Sequence, residues 1–156
     1  MLTRRPGRDR RAATMAETAV VLSLLMMLIL GLIVIGMGTV RYQQVAGLAR
    51  EAARYGSVRG ASYKSNTGHE MATPASIYTN AILPMATGLD TTKLTYSVVW
   101  DNASQGPVYL TDPTTNKYAI NYITVTVSYQ WQSEAFPGFS STTRTVTSTA
   151  RMPMSF

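Results

Sequence analysis

Cysteine is absent, histidine occurs once, and only 14% of the 156 residues are charged. The first absence removes disulfide frameworks, thiol nucleophiles and cysteine-based zinc sites, and leaves the redox compartment open. The single histidine, His69, stands beside Glu70 in a polar stretch, so a histidine-rich metal centre is not expected. Asp112 and Asn116 lack the dense oxygen spacing of a calcium loop. Neither a glycine-rich phosphate cradle nor a nucleophile motif is present, so no cofactor is expected and catalysis is not the expected activity. Charge is scarce while apolar residues make up 46% of the chain, which argues against disorder for most of it. The length suits one domain with an appended element.

What charge there is gathers at one end. Arg4, Arg5, Arg8, Arg10 and Arg11 against Asp9 give the first twelve residues +4, leaving +2 for all the rest. Nucleic-acid binders interleave basic and aromatic residues on a folded surface. This basic run instead abuts 23 uncharged residues, Thr18 to Val40, TAVVLSLLMMLILGLIVIGMGTV. As a helix they would extend roughly 35 Å, enough to cross a hydrocarbon core of about 30 Å. A cleaved secretory signal has a shorter apolar region ending at a small-x-small site, and Val40-Arg41-Tyr42 offers none. Arg4-Arg5 runs into Pro6-Gly7, unlike a twin-arginine signal. The arginine cluster ahead of the apolar run favours a cytoplasmic N-terminus, with the remainder outside the cytoplasm. No nucleic-acid partner is expected; the expected partner of residues 18–40 is a lipid bilayer.

Glu17 opens the apolar run. Position alone leaves two readings open. It is either an interfacial carboxylate favoured by the positive helix start, or an acid held within the bilayer, where charge marks function.

Beyond the apolar run no proline interrupts residues 13–58, so one helix is expected over 13–60, with Gly56 and Gly60 as its end. Tyr42, Val45, Ala49, Ala52 and Ala53 share its apolar face. The small residues Ala46, Gly47, Ala49, Ala52 and Ala53 permit close approach, first to the domain's own sheet and otherwise to neighbouring helices.

The pattern of a basic leader, small residues, a glutamate and a long apolar helix resembles type IV pilins. Residues 10–60 are similar in particular to the TadE-like pseudopilins of tight-adherence (Flp) pilus systems, with Ala49-Arg50-Glu51-Ala52-Ala53-Arg54-Tyr55-Gly56 close to the family's helix signature. The resemblance implies removal of a leader by a prepilin peptidase between Ala12 and Ala13, which makes Glu17 fifth in the mature chain. It also implies that Glu17 meets a neighbouring subunit's amino terminus in the membrane. Other pilins or pseudopilins and an inner-membrane assembly platform are the implied partners, and the bacterial cytoplasmic (inner) membrane the implied location. Ala12 stands where glycine is usual, and Thr18 where the major Flp pilin has tyrosine.

Residues 61–73 read as a polar connector, followed by a short helix from Pro74 to about Leu83 with Thr73 as its cap and Ile77, Tyr78, Ala81 and Ile82 as its packing side. After Asp90 the period becomes two. Strands are expected at 93–101, 118–132 and 140–152, with a turn at Pro137-Gly138 and an extra strand at Val108–Leu110. The fold class expected is α+β: a long N-terminal transmembrane helix (18–40) running into a pilin-like domain at 61–156, with a short second helix and a three- to four-stranded antiparallel sheet. The function expected is that of a membrane-anchored minor pseudopilin assisting pilus assembly or related secretion. The alternative is a single-pass anchored ligand-binding or adhesion module, using the 102–117 loop or the aromatics Tyr109, Tyr118, Trp100 and Trp131, although core packing explains the tryptophans better.

Overall fold

Helix α1 runs from Pro6 to Ser57 in the computed structural model, which describes residues 6–102, 110–111, 118–119, 121–132 and 143–155. Its start lies seven residues ahead of the expected one. Pro6 stands first in the helix, where its missing N–H and fixed φ do no harm. The chain divides into two units, residues 1–38 and 39–156.

In the first unit the helix carries apolar side chains on every side. Val20, Leu24, Leu32 and Ile35 are each at least two-thirds exposed. Thr18 Oγ1 donates to the carbonyls of Thr14 and Met15 at 3.0 Å, and Ser23 Oγ to that of Val20 at 2.8 Å. These hydroxyls are satisfied on their own helix, the arrangement an apolar surrounding demands.

The second unit has an α+β fold. Three antiparallel strands, β1 (Leu94–Trp100), β4 (Tyr122–Gln132) and β5 (Thr143–Pro153), form an open sheet in the order β1-β4-β5. Register sets Val98 opposite Val125 and Val125 opposite Ala150, so the apolar faces of all three strands coincide. Against that face lie Val45, Leu48, Ala49, Ala52 and Ala53 of α1, together with Ile77, Ala81 and Ile82, in one buried cluster. Trp100 and Trp131 are half-buried and pack against the same cluster, in line with the core reading of both. The opposite face is polar, and its hydroxyls pair across strands: Thr126 with Thr149 at 3.0 Å and Ser128 with Thr147 at 2.9 Å.

Several expectations are corrected. Residues 61–67 are not connector but a helix, α2 (Ala61–Thr67), closed by Gly68 in the left-handed region at φ 73°, whose N–H reaches the Lys64 carbonyl at 2.9 Å. None of its residues is buried, so no apolar period announced it. The helix from Pro74 is present, with Thr73 and Ser76 forming a reciprocal capping box, but it changes character along its length. An α turn, α3 (Pro74–Ile77), passes into a π turn (Tyr78–Ile82) and a 3₁₀ turn (Leu83–Met85).

The expected 118–132 strand is in two pieces. β3 (Tyr118–Ala119) pairs with β2 (Leu110–Thr111) in a separate ribbon, and β4 begins at Tyr122. Between them Asn121 is buried, accepting the Asn102 N–H at 2.9 Å on its side chain and the Met154 N–H at 2.8 Å on its carbonyl. Those bonds hold Asn121 out of the ladder. Tyr42 is also corrected: it is 55% exposed rather than part of the buried face. The Pro137-Gly138 turn, residues 140–142 and Val108 lie outside the described residues.

Candidate functional site

Two groups of residues carried the functional expectation, and each belongs to a different unit. In the first, Ala12 and Ala13 are exposed residues of α1, and Glu17 follows one turn later, also exposed. A peptide bond within a helix has its carbonyl engaged, so cutting between Ala12 and Ala13 requires that turn to open. The helix is long and apolar enough to cross a membrane once, and no residue of its most apolar window is buried among the described residues. At Gly31 and Gly36, among the described residues, nothing beyond their own stretch of helix lies within 4 Å of the place a Cβ would occupy.

In the second unit the signature residues divide by role. Arg50 Nε donates to the Ala46 carbonyl at 3.1 Å on the exposed side of the helix. Arg54 grips Glu51 through two bonds, Nε at 2.9 Å and a second guanidinium nitrogen at 2.5 Å. The Arg54 hydrogen bonds hold the Glu51 carboxyl below the ordinary glutamate range, and the same pair raises Arg54. Tyr55 lies under the guanidinium of Arg59, 3.8 Å from ring centroid to Cζ. Gly56 is buried where α1 meets the sheet. A Cβ there would overlap Ile123 Cδ1 and come within 3.1 Å of Ile77 Cδ1. Glycine at this position therefore sets how closely helix and sheet approach.

The end of α1 is tied down on several sides. The Ser57 carbonyl accepts the Ser155 N–H at 2.9 Å, and the Arg59 carbonyl accepts the Ala72 N–H at 2.8 Å. At the other end of the helical stretch in this unit, Arg41 donates to the Gly88 carbonyl at 2.7 Å and to Gln44 Oε1 at 3.1 Å. Sequence reasoning missed Arg41, Arg59 and the isoleucine seat of Gly56. Arg59 is four residues after Tyr55 and four before Tyr63, a spacing visible in the chain, but Gly60 masked it by announcing a helix end. The contacts of Arg41 and Gly56 join residues far apart in sequence and left no local sign.

The fold and the helix surface define a class: an α+β domain bearing an N-terminal helix fit for single-pass membrane anchoring. Residues 12–54 match the family model of the TadE-like proteins. The match takes in Ala12, Ala13, Glu17, Arg50 and Arg54, a little over a quarter of the chain, and stops short of Tyr55, Gly56 and the sheet. No curated protein and no solved structure matches the chain. The chain thus fits a pilus-related, membrane-anchored protein.

Proposed function

We propose that the protein is a minor pseudopilin of a tight-adherence (Flp-type) pilus or a related secretion system, acting through helix packing and subunit contacts rather than catalysis. The observation that carries this is that the stretch matching the TadE-like family takes in an apolar helical window of which, among the described residues, none is buried. Residues 1–12 are the cytoplasmic leader, 18–40 cross the inner membrane, and 61–156 lie outside the cytoplasm. Prepilin peptidase cuts between Ala12 and Ala13.

In that setting Glu17 is the chemical centre. A lone carboxylate at bilayer depth costs about 2.5–3.5 kcal/mol on insertion scales. The amino terminus freed by cleavage of a neighbouring subunit supplies the opposite charge, and pairing avoids lone burial. The apolar helix holds the subunit in the membrane before assembly and joins a stack of like helices during it. Gly31 and Gly36, with open space around them, allow close approach there. Arg50 and the Glu51–Arg54 pair stay on the solvent side, where they are open to contacts with other subunits.

The test is Glu17→Ala in the native host. Membrane insertion should be unchanged, and pilus yield or incorporation of the subunit should fall severalfold. Unchanged pilus yield would refute the assembly role.

A further inference from the structure

Among the described residues of the second unit, the large apolar side chains that stand exposed are Val40, Tyr42, Leu83, Met85 and Val99. All but Val99 gather at one end. Val40 and Tyr42 flank Arg41 on α1, and Arg41 donates to the Gly88 carbonyl at 2.7 Å. Leu83 and Met85 belong to the 3₁₀ turn just ahead of Gly88, and with Pro84 between them they make an unbroken exposed apolar run. Two tight backbone bonds hold this turn beside Gly88: Ala86 N–H to the Leu83 carbonyl at 3.2 Å, and Leu89 N–H to the Ala86 carbonyl at 3.0 Å. A turn that faces water ordinarily carries polar side chains, and consecutive apolar ones left in the open call for a partner.

The chain itself delivers that partner to this end. Arg41 is the first charged residue after the uncharged run 18–40, so a bilayer crossed by that run has its outer surface at Val40–Arg41. The Arg41–Gly88 bond brings the 83–88 segment to the same level. Arginine suits the position, since its stem lies along apolar surroundings while its guanidinium stays among headgroups. Asp90, the nearest acid in the sequence, is already engaged by the Thr92 N–H at 3.0 Å, the Thr92 hydroxyl at 2.6 Å and Lys93 at 3.8 Å. The opposite end of the unit is far from lipid. Along α1, Gly56 stands about 22 Å beyond Arg41 at the ordinary helical rise. Gly56 seats on Ile123, and Val99 pairs with Thr124 next along that strand.

We propose that the Leu83–Met85 turn is a second membrane contact, in which Leu83, Pro84 and Met85 enter the boundary between headgroups and acyl chains and fix the outer unit on the lipid surface. The proposal rests on residues 18–40 being a membrane span. Its occupant is the bilayer because the exposed run continues, through Arg41, the surface that the span already presents to lipid.

The experiment uses the full chain in vesicles of phosphatidylethanolamine and phosphatidylglycerol. Single cysteines at Thr87, Val99 and Leu28 carry an environment-sensitive fluorophore, and the quencher is a phospholipid with a doxyl group high on its acyl chain. Thr87 is exposed beside the turn and leaves its three apolar residues intact, while Val99 is 56% exposed against 55% for Met85 and so serves as a matched site at the far end. Quenching at Thr87 should exceed that at Val99 severalfold. In the double variant Leu83→Ser with Met85→Ser it should fall to the Val99 level, with circular dichroism showing that the domain is folded; the comparison of Thr87 with Val99 needs no such variant. Quenching at Leu28 with none at Thr87 would overturn this contact and leave the anchor standing, whereas none at either would overturn both. A blue-shifted Thr87 signal that lipid does not quench would mean that protein covers the turn, and unaltered quenching in the folded double variant would mean that the apolar side chains do not hold it there. Either result would also overturn the proposal.

Discussion

Gly56→Ala is the smallest change that probes how α1 seats on the sheet. One methyl group is added at a buried position where it overlaps Ile123 Cδ1 and meets Ile77 Cδ1 at 3.1 Å, and both isoleucines are fully buried. Two effects oppose. Replacing glycine in a helix gains up to about 0.8–1 kcal/mol, and less so close to the helix end. Forcing an extra carbon into a packed core costs about 1–3 kcal/mol. Overpacking should win by about 1 kcal/mol, a fall of a few degrees in Tm.

Ile123→Val deletes the clashing atom and alone should lose about 0.5–1.5 kcal/mol. In that background Gly56→Ala should be neutral or stabilising, so a double-mutant cycle should return a coupling of about 1 kcal/mol or more. The assay is thermal and denaturant unfolding of the full chain in detergent, followed by circular dichroism. Gly47→Ala is the control: nothing lies within 4 Å of the added carbon, and the propensity gain of up to about 1 kcal/mol should appear undiminished. Additive effects of the two substitutions would refute the close seating.

Other expectations follow the same chemistry. Asn121→Ala removes the acceptor of the Asn102 N–H from a buried position and should destabilise by about 1–3 kcal/mol in denaturant unfolding. Thr73→Ala breaks the capping box at α3 and should cost about 1 kcal/mol, with hydrogen exchange faster over Pro74–Ile77 than elsewhere in the domain. Asp90 is held below the ordinary aspartate range by the Thr92 hydroxyl and N–H, as Glu51 is by Arg54. For both, the folded value lies under the unfolded one. The stability they add is therefore present above the ordinary carboxylate range and lost as pH falls through the lowered values. Asp90 is exposed and Glu51 only partly buried, so solvent screening keeps the effect small. NMR titration of the two carboxyls checks it, and Asp90→Asn should flatten the acid limb of a Tm-against-pH curve slightly.

The long helix, the period-two strands and the Thr73–Pro74 start were legible because each follows from local pattern. An apolar run without charge, alternation such as Ile123, Val125 and Val127, and a threonine before a proline each carry their meaning within a few residues. The small-residue face of α1 was legible too, since Ala49, Ala52 and Ala53 lie in the core as their spacing implied. Helix α2 was not, because its order comes from Gly68 at its end and from the Lys64–Glu70 pair rather than from a buried face. The break before β4 depends on Asn121 reaching Asn102 across the fold, and a polar residue in a strand pattern does not announce such a partner. Gly56, singled out for function, acquires a packing reason that only the sheet supplies, while Arg59, which was not singled out, gained meaning only when Tyr55 and Tyr63 came to flank it.

The absence of cysteine makes the central claim directly measurable, because single cysteines introduced along residues 20–35 report without background. With a single cysteine also introduced in the apolar helix of the neighbouring pilin-type subunit, oxidative crosslinking in native membranes should join the two helices at positions recurring every three to four residues, and Glu17→Ala should abolish the pattern while leaving the chain in the membrane fraction. Uniform absence of crosslinks from a chain that stays embedded, or its release into the aqueous fraction, would contradict an assembly helix.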